Sequence, residues 1–239
     1  MKKTSGFNFL NQMRLWQKFL LLGLFVAIAV LLPYVQTMRT SQESIDFKLE
    51  EISGLVPVNA IVKVIQLTQE HRGLSASVLG GNSADASVRS AKEKEVDAAL
   101  TILEAAINAD NRTSLKTSMT VIRQDWRVIA DSIANNSTDT RKNFDAQVVL
   151  VTKLLRLLEL ISDDYKLSLD PNNSTYFLIQ AATVHLALLT EFVGQARGFG
   201  IGRLEEAKRL REANTDPSAA VSAADRERLS NILTGIRVS

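Results

Sequence analysis

The sequence predicts an all-α protein with one membrane-spanning helix near its N-terminus. Only four Pro and 11 Gly occur in 239 residues, and the helix-favouring residues Ala, Leu, Glu, Lys and Arg are abundant. Apolar residues recur at helical spacing along several segments, and one run of 17 residues carries no charge. Because 46% of the residues are hydrophobic, the chain can bury a core, which argues against general disorder.

The first element is a basic tail followed by an apolar run. Residues 1–18 contain four basic side chains and no acid, and residues 19–35 form the uncharged run. As a helix this run would span about 25 Å, close to the ~30 Å hydrocarbon core of a bilayer. The small residues Ala27 and Ala29 lie inside the run with no cleavage site after it, which favours a retained anchor over a signal peptide.

The distribution of charge sets the expected topology. The tail carries a charge of +4, whereas the whole chain carries +2, so the remainder of the chain carries −2. Basic residues concentrate on the cytoplasmic side of a membrane helix. We therefore expect a cytoplasmic basic tail over 1–18, a transmembrane helix over 19–35 and an extracytoplasmic helical domain over 36–239. No second apolar run of 17 or more residues follows before Ser239, so a single crossing is expected.

Turn-forming residues divide the extracytoplasmic part into helices. The sequence predicts a first break at Gly54 and Pro57, because proline removes a helical hydrogen bond. Further breaks are expected at residues 80–83, 110–111, 135–137 and 170–174, at the glycines 198, 200 and 202, and at residues 216–217. Short polar connections between long helices predict antiparallel neighbours, either in one elongated bundle or in two stacked modules.

Apolar stripes identify the faces that should enter the core. Two helices show steps of three and four residues between apolar side chains, which is the period of an amphipathic helix. The stripes are Val96, Leu100, Leu103 and Ile107, and Leu115, Met119, Ile122, Trp126, Ile129 and Ile133. Residues 148–161 are apolar around most of the circumference, so this helix is expected to lie deep between its neighbours.

Two arginines and one glutamine are candidate ligand-binding residues. On a helical wheel, Gln69 and Arg72 fall in the middle of the apolar face of residues 58–79, where an unpaired charge would cost several kcal/mol. Arg197 borders apolar surface on a later helix, and both arginines are followed by glycine. The planar guanidinium group donates two parallel hydrogen bonds to a carboxylate or similar oxyanion.

The same residues also have a purely structural interpretation. Arg72 and Arg197 could pair with an acid across the bundle, such as Glu70, Asp125 or Glu191, and fix the register of the helices without binding a ligand. Both interpretations stay open on the sequence alone.

The remaining patterns argue against catalysis, cofactors, metal and nucleic acid. The chain has no cysteine, and its two histidines lack metal-binding spacing. It contains no catalytic serine elbow and no phosphate-binding glycine loop. The part after the tail is net acidic, which disfavours nucleic acid. We expect a non-enzymatic protein without cofactor or bound metal.

Several short segments of the sequence resemble a known protein family. Residues 69–76, Gln-Glu-His-Arg-Gly-Leu-Ser-Ala, follow a short tail and an anchor, and this arrangement resembles the N-terminal sensor region of bacterial methyl-accepting chemotaxis proteins. Residues 167–171, 176–178 and 191–198 are similar to a later part of such domains. The resemblance implies an inner-membrane receptor with its bulk in the periplasm. Such a receptor is a homodimer that binds an organic acid, amino acid or inorganic anion and transmits a helix shift across the membrane.

The sequence also departs from that family. It has no second membrane helix, no methylated signalling hairpin, no kinase histidine box and no cyclase motif, and its last amphipathic pattern ends without a cap. We therefore expect a chain truncated before the second membrane helix and incomplete at its C-terminus. The alternatives are the sensor region of a histidine kinase or diguanylate cyclase, and a membrane-tethered structural or interaction bundle.

Overall fold

The computed structural model of the protein describes residues 13–109 and 111–239. All regular secondary structure within these ranges is helical and no strand occurs there, so the predicted all-α class is confirmed. Lys2 and Lys3 of the predicted tail lie outside the described residues, and so does Asp110 of a predicted turn.

Seven α-helices follow one another along the described chain. They are α1 (Leu15–Leu79), α2 (Ala86–Asn108), α3 (Thr113–Ala134), α4 (Thr140–Asp164), α5 (Asn173–Gln180), α6 (Leu186–Glu212) and α7 (Ala223–Val238). A π-helical turn, Ala181–His185, joins α5 to α6. Short 3₁₀ helices cover Ser83–Asp85, Leu167–Leu169 and Pro217–Ala220. The turns predicted at residues 80–83, 135–137 and 170–174 are present.

The chain divides into two compact units. The first ends at Leu49 and the second comprises Glu50–Ser239, so the division lies within the domain predicted over 36–239. The second unit, called the helical unit below, holds the hydrophobic core and every candidate site residue. Both predicted apolar stripes are buried in that core, which confirms them.

Two helical stretches are long and apolar enough to cross a membrane by length and composition: Leu15–Leu79 and Asn173–Glu212. The first contains the predicted span over 19–35, where every side chain is exposed. The sequence does not predict the second stretch as a membrane span, because polar residues interrupt its uncharged part over 171–190. The single crossing stays a prediction.

The break predicted at Gly54 and Pro57 is absent, because α1 continues through both residues. Both are buried. A Cβ atom at Gly54 would lie 2.5 Å from the Cβ atom of Tyr165, so the glycine allows the segment after α4 to pack against the helix. Burial of this contact offsets the backbone hydrogen bond that Pro57 cannot make.

The break predicted at the glycines after Arg197 is also absent, since α6 runs from Leu186 to Glu212. A Cβ atom at Gly198 would lie 3.1 Å from Phe144 and 3.9 Å from the Cα atom of Gly73. One at Gly202 would lie 3.2 Å from Thr140. These glycines therefore bring α6 close to α1 and α4, and they do not end the helix.

Candidate functional site

Two adjacent ionisable side chains of α1, His71 and Arg72, are completely buried. Successive residues of an α-helix point about 100° apart, so the two side chains meet different neighbours. Arg72 contacts α6, whereas His71 contacts α2, α3 and α4. Buried charge is costly unless it is paired, so the partners of each side chain decide what this region can do.

Arg72 forms a two-pronged ion pair with Glu191 of α6. Nη1 donates to Oε1 at 2.6 Å and Nη2 donates to Oε2 at 3.1 Å. The same carboxylate accepts from the amide of Gln69 at 2.9 Å and from that of Gln195 at 2.8 Å. A Cβ atom at Gly194 would lie 3.0 Å from Nη2 of Arg72, so this glycine makes room for the guanidinium group. The contacts lock α1 and α6 in one register.

The ion pair gives the Arg72 charge a partner inside the protein. Its guanidinium carbon also lies 5.3 Å from the ring centroid of Phe144. Its Nε–H has no acceptor among the described residues. Arg72 and Gln69 are thus brought together as the sequence suggested, and they meet on Glu191, one of the acids named in the structural interpretation. Their contact with a ligand stays a prediction.

Arg197 has a different environment. It is exposed, and its side chain makes no ion pair or hydrogen bond with any residue that the structure describes. It lines a groove of about 340 Å³ formed by α1, α2 and α6, together with Gly73, Leu74 and Ile201. Arg72 is not part of this lining. The two arginines therefore do not form a joint clamp.

The acids of this groove, called the Arg197 groove below, are already engaged. Glu70 pairs with Lys92 at 2.9 Å, and this contact, the largest cause, holds the pKa of Glu70 below its usual value. Asp85 accepts hydrogen bonds from Ser77 at 2.7 Å and from Asn82 at 3.1 Å. The guanidinium group of Arg197 is thus a cation at this groove without a counterion among the residues that the structure describes.

A second groove, of about 280 Å³, borders Gln69. It is mostly apolar, with Val62, Ile65 and Leu186 among its walls and the amide of Gln66 at its edge. It lies beside the π-helical turn Ala181–His185, a type of irregularity that is frequent at functional sites. Gln69 thus reaches both Glu191 and this groove.

His71 belongs to a buried polar network. Its Nδ1 lies 3.1 Å from Oε1 of Gln147, and its Nε2 lies 3.4 Å from Nη1 of Arg89. Because a guanidinium group can donate only, Nε2 is the acceptor and Nδ1 carries the hydrogen. Burial lowers the pKa of His71 to about 4, although the hydrogen bond to Gln147 acts in the opposite direction.

No family model matches the chain, and neither a curated protein nor a solved structure is significantly similar to it. The resemblance to chemoreceptor sensor regions therefore rests on the short motifs of the sequence. Within the described ranges, no group of three or more His, Asp or Glu side chains is arranged to hold a metal ion.

Proposed function

We propose that the chain is the ligand-sensing portion of a transmembrane receptor of the chemoreceptor type. In this proposal residues 19–35 form the anchor, and the helical unit is an antiparallel periplasmic bundle that binds a small anionic molecule. The observation that carries the proposal is the Arg197 groove, where a guanidinium group has no partner among the described residues. A volume of about 340 Å³ suits an organic acid or an amino acid.

The groove is positioned to link binding to helix movement. Arg197 and Glu191 both lie on α6, and Glu191 holds α6 to α1 through Arg72. A ligand that binds Arg197 and contacts Leu74 of α1 would favour one arrangement of the two helices. Ligand binding shifts such an equilibrium only if the affinities of the two arrangements differ. We expect the resulting shift of α1 to be the signal.

The test is calorimetric titration of the full chain in detergent with organic acids, amino acids and nitrate. We expect at least one to bind, and Arg197→Ala to weaken that binding at least tenfold, because a charge-assisted hydrogen bond contributes about 1.5–3 kcal/mol. Arg127→Ala removes an exposed arginine that lines none of the grooves described here, and it serves as the matched control. Flat titrations with all candidates, or equal affinity after Arg197→Ala, would contradict the proposal.

A membrane-tethered interaction bundle is the second candidate function. It is favoured by the buried Arg72–Glu191 pair, which neutralises one of the two candidate arginines internally. A bundle of this kind needs a fixed helix register and no small-molecule site. The same titrations separate the two functions, because a tethered scaffold binds none of the small molecules.

We further propose that the protein is a homodimer through the first part of α1. The chain contains no cysteine, so an introduced Gln36→Cys provides the single thiol in each copy. In oxidised membranes this variant is expected to form a disulfide-linked dimer. Ser137→Cys, at an exposed turn of the helical unit, is the control and is expected to remain mostly monomeric. Equal cross-linking of both variants, or none, would count against the dimer.

A further inference from the structure

A polar cavity of about 430 Å³ lies where α1 ends and α4 begins. Three arginines from two helices line it: Arg141 of α4, and Arg203 and Arg209 of α6. Thr138 and Thr140 add hydroxyl groups to the same wall. Neither the sequence motifs nor the proposed ligand site involves these residues. We call this space the arginine cavity.

A buried carboxylate holds two of the three arginines in place. Asp225 of α7 is 2% exposed, and it pairs with Arg141 through Oδ1, while Nη1 of Arg203 lies 3.9 Å from Oδ2. Asp225 is itself fixed, since its Oδ2 accepts from the backbone N–H and the hydroxyl group of Ser222 at 2.9 Å and 2.8 Å. The guanidinium groups of Arg141 and Arg203 are therefore positioned before any ligand arrives, which reduces the entropy lost on binding.

The acids that line the cavity already have partners. Asp139 caps α4 by accepting from the backbone N–H of Lys142 at 2.8 Å, and this bond, the largest cause, lowers the pKa of its carboxyl group. Glu206 pairs with Arg203 at 2.9 Å. The side chain of Arg209, by contrast, makes no ion pair or hydrogen bond within the described parts of the chain. Its guanidinium group is therefore available to an acceptor from outside the protein.

Capping of α1 does not account for the position of Arg209. A basic side chain near a helix C-terminus commonly binds the last carbonyl groups. At the end of α1, however, the carbonyl oxygens of Ala76, Ser77 and Val78 accept from the backbone N–H groups of residues 80, 82 and 81. These three carbonyl groups are thus satisfied by the backbone itself, and Arg209, in the last turn of α6, is not required to bind them.

We propose that the arginine cavity binds a small oxyanion of charge two or more, a polycarboxylate or a phosphate. Each guanidinium group has five N–H donors, so Arg209, the donors that Arg141 does not use for Asp225 and the threonine hydroxyls can donate to several acceptor oxygens of one ligand. A monocarboxylate brings one charge and two acceptor oxygens, so it fills this set of donors less completely than a polycarboxylate or a phosphate does. The volume of about 430 Å³ accommodates a molecule of the size of citrate. This site is separate from the Arg197 groove and does not depend on it.

The experiment is titration of the full chain with citrate and with inorganic phosphate at low ionic strength, and with acetate as the monovalent comparison. We expect citrate or phosphate to bind and acetate to bind at least tenfold more weakly. Arg209→Ala should weaken the binding at least tenfold, and it should leave the thermal unfolding temperature nearly unchanged because the side chain is exposed. Arg127→Ala, at an exposed arginine outside both the arginine cavity and the Arg197 groove, is the matched control and should leave citrate and phosphate binding unchanged.

The outcomes separate this proposal from the proposed function. No heat with citrate and phosphate, equal binding of acetate, or full affinity after Arg209→Ala would each overturn the arginine cavity. Loss of citrate binding in Arg197→Ala but not in Arg209→Ala would assign the anion to the Arg197 groove and would equally overturn it. Conversely, a failure of Arg197→Ala to affect its own ligand leaves the cavity result intact.

Discussion

Glu191→Ala is expected to lower the free energy of unfolding by about 3–5 kcal/mol. The carboxylate of Glu191 neutralises Arg72, whose side chain is completely buried, so its loss leaves an unpaired charge in the interior. The amides of Gln69 and Gln195 lose their acceptor at the same time. Urea unfolding in detergent, followed by the fluorescence of the buried Trp126, measures the change.

Two variants test whether the cost comes from the unpaired charge. The double variant Arg72→Met, Glu191→Leu removes both charges and is expected to recover most of the stability, because apolar replacements of a buried ion pair are often neutral. Glu159→Ala breaks the largely exposed pair with Arg156 and is expected to cost less than about 1 kcal/mol. A loss for Glu191→Ala no greater than that for Glu159→Ala would contradict the argument.

The double variant also bears on function. If Arg72 serves only to hold α1 to α6, the double variant keeps its affinity for a ligand that binds at Arg197. If Arg72 contacts the ligand, as the sequence suggested, the affinity falls even though the fold is retained. Calorimetry on this variant therefore distinguishes the two interpretations of Arg72 that the sequence left open.

Much of the secondary structure could be predicted because its causes are local. The apolar stripe from Leu115 to Ile133 repeats at helical spacing, and each of its members is buried in α3. Asn135 and its neighbours end that helix where the sequence indicated. Glycine is ambiguous in this respect, because it fits both a break and a close contact. Gly54 lies against Tyr165 and Gly198 lies against Phe144, each far away in the sequence. Only these tertiary contacts show that the two glycines allow close packing and do not end a helix.

The site was predicted less completely, because its partners come from different helices. The inward position of Arg72 and Gln69 follows from helix periodicity, but the choice of Glu191 over the other acids follows from the packing of α6 on α1. Similarly, Arg141 and Arg209 are about 70 residues apart, and only the tertiary structure brings them to one cavity. The Arg-Gly motif that Arg72 and Arg197 share does not give them similar surroundings.

Protonation of His71 alone is expected to lower the free energy of unfolding by about 3 kcal/mol as the pH falls from 6.5 to 4. Burial lowers the pKa of His71 in the folded protein to about 4, against 6.5 in the unfolded chain. Above pH 6.5 the ring is neutral in both states and the stability is fully present. Between pH 6.5 and 4 the His71 ring is protonated in the unfolded state and mostly neutral in the folded state, so unfolding becomes more favourable.

The measurement compares unfolding free energies at pH 7.5 and pH 4 for the unmodified protein and for His71→Gln. The free energy of unfolding of the unmodified protein, measured relative to that of His71→Gln, should be about 3 kcal/mol lower at pH 4 than at pH 7.5. Glu50, Glu70, Asp139 and Asp225 have lowered pKa values, so their contributions are lost as the pH falls below the ordinary values of 4.5 for Glu and 3.8 for Asp, and these losses cancel between the two proteins. Parallel pH dependence of the unmodified protein and His71→Gln would contradict the prediction.

A second histidine and a neighbouring arginine provide the controls. His185 is exposed, so His185→Gln should change the free energy of unfolding by less than about 0.5 kcal/mol. Nε2 of His71 accepts from Nη1 of Arg89, and a proton on Nε2 would place a donor against a donor 3.4 Å away. The charge of Arg89 also contributes to the lowered pKa of His71. Arg89→Met should therefore raise that pKa, which NMR titration of the ring can detect, and reduce the acid-induced loss of stability, because the interval between the folded and unfolded pKa values becomes narrower.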